Sequence, residues 1–261
     1  MESPNSVLAF YQDIIRRLAG NGIEFLVGGG YAFGHYTGLH RDTKDFDLMV
    51  RPSAVAAVIS ICQTVGYQAD YAFSHWLAKV RGSEGLIDII FRSSNGLCEV
   101  DDEWFAAAPS VEILETPVHL VPPEEMIWQK AYVMERERFD GADVAHLLAS
   151  CGEQLSWKKL LLRFGPDWRV LLSHLILFGF IYPAQQKVIP RDVLSDLISR
   201  YINDEQHKPS TEQICNGTLL SRQQYRYDVL VEGLQDARLS DRCRISPEEL
   251  NIWDNASPEL T

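Results

Sequence analysis

Phe25-Leu26-Val27-Gly28-Gly29-Gly30-Tyr31-Ala32, followed by Asp45-Phe46-Asp47-Leu48-Met49-Val50, is the stretch on which the fold turns. A short apolar run, residues 23–27, enters three glycines, and residues 31–36 are predicted to form a helix that starts at that turn. Residues 44–50 alternate as a strand, so Asp45 and Asp47 leave one face while Phe46 and Leu48 leave the other. A third carboxylate, Asp88, interrupts the apolar run Leu86-Ile87-Asp88-Ile89-Ile90-Phe91, which reads as a central strand. Burying an unpaired carboxylate costs several kcal/mol, so Asp88 needs a partner, and a metal ion is one. Three carboxylates on neighbouring strands make an all-oxygen site suited to a hard cation such as Mg²⁺. The glycine turn beside them offers backbone N–H groups to phosphate oxygens. Together these features point to metal-assisted phosphoryl chemistry on a nucleotide.

Outward from this core, residues 6–19 have apolar side chains at helical spacing and stop at Gly20-Asn21-Gly22. A helix over 54–65 and strands over 75–81, 86–91, 111–114 and 118–121 complete the first half. Pro122-Pro123 then opens a helix expected to reach about Arg138. Further helices are predicted from Asp140, over 157–164, over 167–181 and over 192–203. The expected fold class is α+β: a mixed sheet with flanking helices in a catalytic domain, residues 1–121, followed by a mainly helical domain, residues 122–261. Residues 204–212 read as a loop, and the tail after Arg244 as poorly ordered.

Composition narrows the function classes. A net charge of −12 argues against wrapping a nucleic-acid backbone by bulk attraction. The five cysteines are far apart and form no CxxC pair, which supports neither a zinc site nor a disulfide framework and suits a reducing cytoplasm. The first residues show no basic segment followed by an apolar one, so no leader and no membrane partner are expected. The most apolar run, residues 170–182, is too short to span a bilayer and reads as a buried helix.

Gly29-Gly30-Tyr31-Ala32, then Gly38, Arg41, Thr43, Asp45-Phe46-Asp47 and Ile87-Asp88-Ile89, resembles the nucleotidyltransferase superfamily typified by DNA polymerase β. The likeness is greatest to its small bacterial toxin-type and antibiotic-modifying members, and covers roughly residues 20–150. Where many members have Gly-Ser, this chain has Gly30, so backbone and other side chains must hold the phosphates. The resemblance implies transfer of a nucleoside monophosphate from an NTP to an acceptor hydroxyl, with release of pyrophosphate. It implies Mg²⁺ or Mn²⁺ held by Asp45, Asp47 and Asp88, in pairs about 4 Å apart, with Asp88 also helping to deprotonate the acceptor. It assigns nucleotide binding to Gly29, Gly30, Arg41, Thr43, Lys44 and Lys130, the last matching a lysine of the toxin-like helical segment together with Arg138 and Asp143.

Alternatives stand beside these assignments. Asp45 and Asp47 alone are also what the wet face of an edge strand looks like. Lys130 shares a helix face with Ile127, Ala131 and Met134, and is either a phosphate ligand or a snorkelling lysine paired with a nearby acid. Asp140 and Asp143 read first as helix-start residues, and Arg136 and Arg138 as solvated partners of Glu135 or Glu137. The acceptor is a small molecule, an RNA end or a protein hydroxyl, and a toxin-like member implies an antitoxin-type protein partner. A non-catalytic nucleotide-binding module that keeps the fold is the alternative function.

Overall fold

The computed structural model describes residues 4–43, 45–83, 85–206 and 213–256. These divide into two compact units, the first from Met1–Pro122 with Arg238–Thr261 and the second Pro123–Ala237.

The first unit is built on a five-stranded mixed sheet. Its elements in chain order are α1 (Pro4–Gly20), β1 (Leu26–Val27), α2 (Gly29–Thr37), β2 (Phe46–Met49), α3 (Val55–Thr64), β3 (Gln68–Phe73), β4 (Leu77–Arg81) and β5 (Leu86–Ile90). The strand order is β1-β2-β5-β4-β3, with β2 parallel to β5 and every other pair antiparallel. The parallel pair is possible because α3 and the hairpin β3–β4 intervene between β2 and β5, returning the chain in the direction it left. Ile14, Ile15 and Leu18 of α1, Phe46 and Leu48 of β2, and Ile87 and Ile89 of β5 are fully buried and form the core under one face of the sheet. α4 (Asp102–Ala106), capped by the Asp101 carboxylate on the Glu103 N–H, precedes the hairpin β6 (Ser110–Ile113) and β7 (Thr116–His119). A single bridge from Leu120 to Val27 ties that hairpin's exit to β1.

The second unit is helical: α5 (Pro123–Ala131), α6 (Gly141–Cys151), α7 (Trp157–Phe164), α8 (Trp168–Ile181), α9 (Arg191–Gln206) and α10 (Arg226–Leu230), with the minimal parallel pair β8 (Ile214–Cys215) and β9 (Gln235–Asp236). Glu125 of α5 is fully buried between Lys159 and Arg163 of α7, at 2.8 and 2.9 Å.

Four expectations change. The helix opened by Pro123 ends at Ala131, because the chain folds back through a Met134–Phe139 bridge and a Val133–Asp140 backbone bond. Residues 170–182 form a helix with only one face covered: Phe178 is buried, whereas Ile176 and Phe180 are 60% and 84% exposed. Residues 68–73, unassigned from sequence, are the edge strand β3. The segment after Arg244 is ordered through α11 (Pro247–Asp254), whose start carries a full capping box between Ser246 and Glu249. It packs on β3 through Trp253, whose ring meets Phe73 at 4.7 Å. The loop expected over 204–212 lies outside the described residues except for 204–206, which end α9. All five cysteines are buried and none forms a disulfide. Among the described residues, no helix is long and apolar enough to cross a membrane.

Candidate active site

Three local devices bring the motif together. β1 leads into Gly28, whose N–H donates to the Asp47 carbonyl at 3.0 Å and closes β1 onto β2. Gly29 has φ +52°, and a Cβ there would stand 1.6 Å from Asp47 Oδ2, so the Asp47 carboxylate occupies space that any side chain at 29 would fill. A Cβ on Gly30 would stand 2.2 Å from Thr43 Cγ2. The triple glycine therefore lets the β2 carboxylate and the Thr43 loop press against the start of α2, where backbone N–H groups favour negative charge.

The carboxylates are arranged by register. Asp47 of β2 pairs directly with Asp88 of β5, and Asp88 with Lys79 of β4. Asp45 lies just before β2, half-buried like Asp47, with fully buried Phe46 between them. Asp88 is 8% exposed and accepts hydrogen bonds from Lys79 Nζ on both oxygens, at 3.0 and 3.2 Å. Burial pushes the Asp88 carboxyl up and the Lys79 ammonium pulls it back, while the Asp45 charge adds to the rise. Tyr11 of α1 stacks on Phe46 at 4.9 Å. Its hydroxyl is pushed up to about 12, by burial first and then by Tyr31, Asp45 and Asp47.

Beside the carboxylates runs a groove of about 830 Å³, lined among others by Tyr11, Gly30, Tyr31, Arg41, Thr43 and Leu114. Three of the residues assigned to nucleotide binding, Gly30, Arg41 and Thr43, line this groove, whereas Gly29 and the three carboxylates are not among its lining residues. The Arg41 guanidinium lies over the Phe33 ring, 4.7 Å from its centroid. Lys44 lies outside the described residues. Lys130 belongs to the second unit, where its ammonium bonds Asp140 at 3.1 Å and Asp143 at 2.7 Å. Asp140 stands at the helix start without capping it through its side chain, and binds Arg138 as well. Arg138 is thus paired with Asp140 and Arg136 with Glu137.

Among the described residues, no group of three or more His, Cys, Asp or Glu side chains is drawn close enough to hold a metal ion. The donor chemistry of Asp45 and Asp47, two half-buried carboxylates and nothing softer, fits a hard divalent cation; Asp88 already has a cation on both oxygens. Sequence reading missed Lys79, Tyr11 and Tyr31. The only signal for Lys79 is a lone cation inside the apolar strand Leu77-Ala78-Lys79-Val80.

In solved structures the chain is similar to the antibiotic-resistance factor ANT(2'')-Ia, at 16% identity over 79% of this chain and 98% of that one, with a TM-score of 0.40. It is similar to the lincosamide antibiotic adenylyltransferase LnuA, at 15% identity over 54% and 94% of the two chains, TM-score 0.39. It is also similar to an antigenic nucleotidyltransferase-like protein from Paracoccidioides brasiliensis, at 17% identity over 79% and 93%, TM-score 0.32. No curated protein matches the sequence. The family model described as "Nucleotidyl transferase of unknown function (DUF2204)" matches residues 8–159, a span that takes in the glycine turn and all three carboxylates. With that match over more than half of its length, the chain belongs to this family and is a nucleotidyltransferase.

Proposed function

We propose that the protein transfers a nucleoside monophosphate from an NTP to a hydroxyl of an acceptor, at the groove lined by Gly30, Arg41 and Thr43 next to Gly29 and Asp47. The observation that carries this reading is the direct register of Asp47 with Asp88, with Asp47 seated against the start of α2. In this reading the triphosphate lies along the N–H groups of the glycine turn, and Arg41 and Thr43 contact it from the facing loop. Lys44 is kept as a second cation on the sequence resemblance alone. A divalent cation, Mg²⁺ or Mn²⁺, held by Asp45 and Asp47, supplies charge neutralisation at the phosphates.

Asp88 receives the proton of the acceptor hydroxyl as its oxygen bonds to the α-phosphorus. The bond from that phosphorus to the bridging oxygen breaks, and pyrophosphate leaves with the electron pair. Tyr11 and Tyr31 supply apolar, aromatic walls to the groove, whose volume falls in the usual range for small-molecule sites. That size favours a nucleoside with a small acceptor over a large duplex. Lys130, held by two carboxylates, is assigned here to organising the second unit. A toxin-type role, with an antitoxin partner, is the reading to adopt if RNA or protein is labelled.

The test is to supply Mg²⁺ and each α-labelled NTP to the wild type and to Asp45→Asn/Asp47→Asn, with cell extract fractionated into small molecules, RNA and protein. Label on one fraction with the wild type alone is expected. Equal NTP binding by both, with no fraction labelled, overturns the proposal.

A further inference from the structure

A row of four charged residues crosses four strands on one face of the sheet: Asp47 on β2, Asp88 on β5, Lys79 on β4 and Asp70 on β3, each in direct register with the next. Asp70 at the edge is bonded by Arg81 at 3.1 Å, and both side chains are substantially exposed. Lys79 and Asp88 are different. Their side chains are 10% and 11% exposed, and the ammonium sits on both carboxylate oxygens.

We propose that Lys79 is a built-in cation of the site, so that the three carboxylates hold one divalent cation, at Asp45 and Asp47, and Asp88 keeps Lys79 as its permanent counter-ion. This rests on the nucleotidyltransferase reading of the three carboxylates. The register supports it first. Directly opposed residues on antiparallel strands present their side chains to the same face within contact distance, so the β4–β5 pairing fixes Lys79 beside Asp88. Burial supports it next. Swinging Lys79 away would leave the buried Asp88 carboxylate unpaired. Ionic size supports it last. A Mg²⁺ ion binds a carboxylate oxygen at about 2.1 Å, so an ion on Asp88 would lie within about 5 Å of the ammonium and be repelled in a weakly screened site. Lys79 acts through Asp88 as a positioning residue: it holds the carboxylate in place beside Asp47.

The experiment counts the Mn²⁺ retained with the full chain in excess of the free compartment in equilibrium dialysis with inorganic triphosphate, so that metal chelated by unbound triphosphate is not counted. One ion per chain is expected for the wild type, for Lys79→Arg and for Asp88→Asn, the last with affinity changed by less than about threefold. Lys79→Met, which opens Asp88, is expected to bind two. Two ions on the wild type, or loss of the ion in Asp88→Asn, overturns the inference while leaving the transferase reading intact. If Lys79→Met does not fold by circular dichroism, the Asp88→Asn count decides. If the wild type binds neither Mn²⁺ nor triphosphate, the transferase site itself is wrong and the inference falls with it.

Discussion

The carboxylate of Asp47 lies where the side chain of residue 29 would be, and only a glycine at 29 permits it. Gly29 also holds φ +52°, a conformation that costs a residue with a Cβ about 1–2 kcal/mol. Gly29→Ala is therefore expected to do two separable things. Stability falls by at least that amount, read as the urea midpoint, because the clash with Asp47 adds to the backbone cost. Label transfer falls far more, by about 100-fold, because the Asp47 carboxylate must shift by an ångström or more. Near-wild-type transfer with Gly29→Ala would show that the position of Asp47 against α2 does not matter to the chemistry.

How much of this could be read from the chain depends on whether the determinant is local. That Asp47 and Asp88 stand on strands was legible because alternation and an interrupted apolar run are properties of single strands, whereas Asp45, expected on the same strand as Asp47, lies just before it. Lys79 was not, since its importance comes from the β4–β5 register, and pairing across strands leaves no local trace. β3 was missed because Gln68-Ala69-Asp70-Tyr71-Ala72-Phe73 presents small residues where a strand would usually carry branched ones. α11 looked like a polar tail because its docking depends on few side chains, chiefly Leu250 and Trp253. α8 shows the converse: its apolar content announced burial, but composition does not say which face a neighbour covers, and Phe180 stays exposed.

Glu125 tests the helical unit. Its carboxylate is wholly buried, its Lys159 and Arg163 partners are both mostly buried, and burial pushes its carboxyl up against their opposing pull. Removing one member of such a group leaves the others as uncompensated buried charge. Glu125→Ala is expected to cost about 3–5 kcal/mol, and Glu125→Gln less, because the amide oxygen still accepts a hydrogen bond. Chemical denaturation followed by far-ultraviolet circular dichroism measures both. A loss below about 1 kcal/mol would mean the cluster behaves as a solvated ion pair.

Trp253 tests the docking of α11. Its ring is 7% exposed and lies against Phe73, Trp76 at 5.3 Å and His75 at 6.2 Å. The neighbouring Asp254 binds the buried Arg238 at 2.7 Å. Trp253→Ala is expected to cost about 3–5 kcal/mol and to open the β3 amides of residues 68–73 to hydrogen exchange. Unchanged exchange there would show that the sheet does not need this helix.

His75 makes the first unit acid-sensitive. It is 2% exposed, and burial lowers its pKa to about 4, with Arg92 and Arg238 adding to the fall and the Ser94 carbonyl and Glu249 opposing it. The unfolded chain takes up a proton near the ordinary histidine value, about 6.5, while the folded one stays neutral until about 4. Between those values the unfolded state holds more protons, so stability rises with pH. The contribution is complete above about 6.5 and is lost as pH falls toward 4, for about 3 kcal/mol in total at about 1.4 kcal/mol per unit. His174 of the helical unit, buried against the Ala131 carbonyl, is shifted in the same direction and adds its own share there. His75→Gln, which keeps an N–H for the Ser94 carbonyl, is expected to flatten the urea midpoint between pH 4.5 and 7 relative to the wild type. An equally steep profile in the variant would mean that His75 is reached by water and protonates in the folded state.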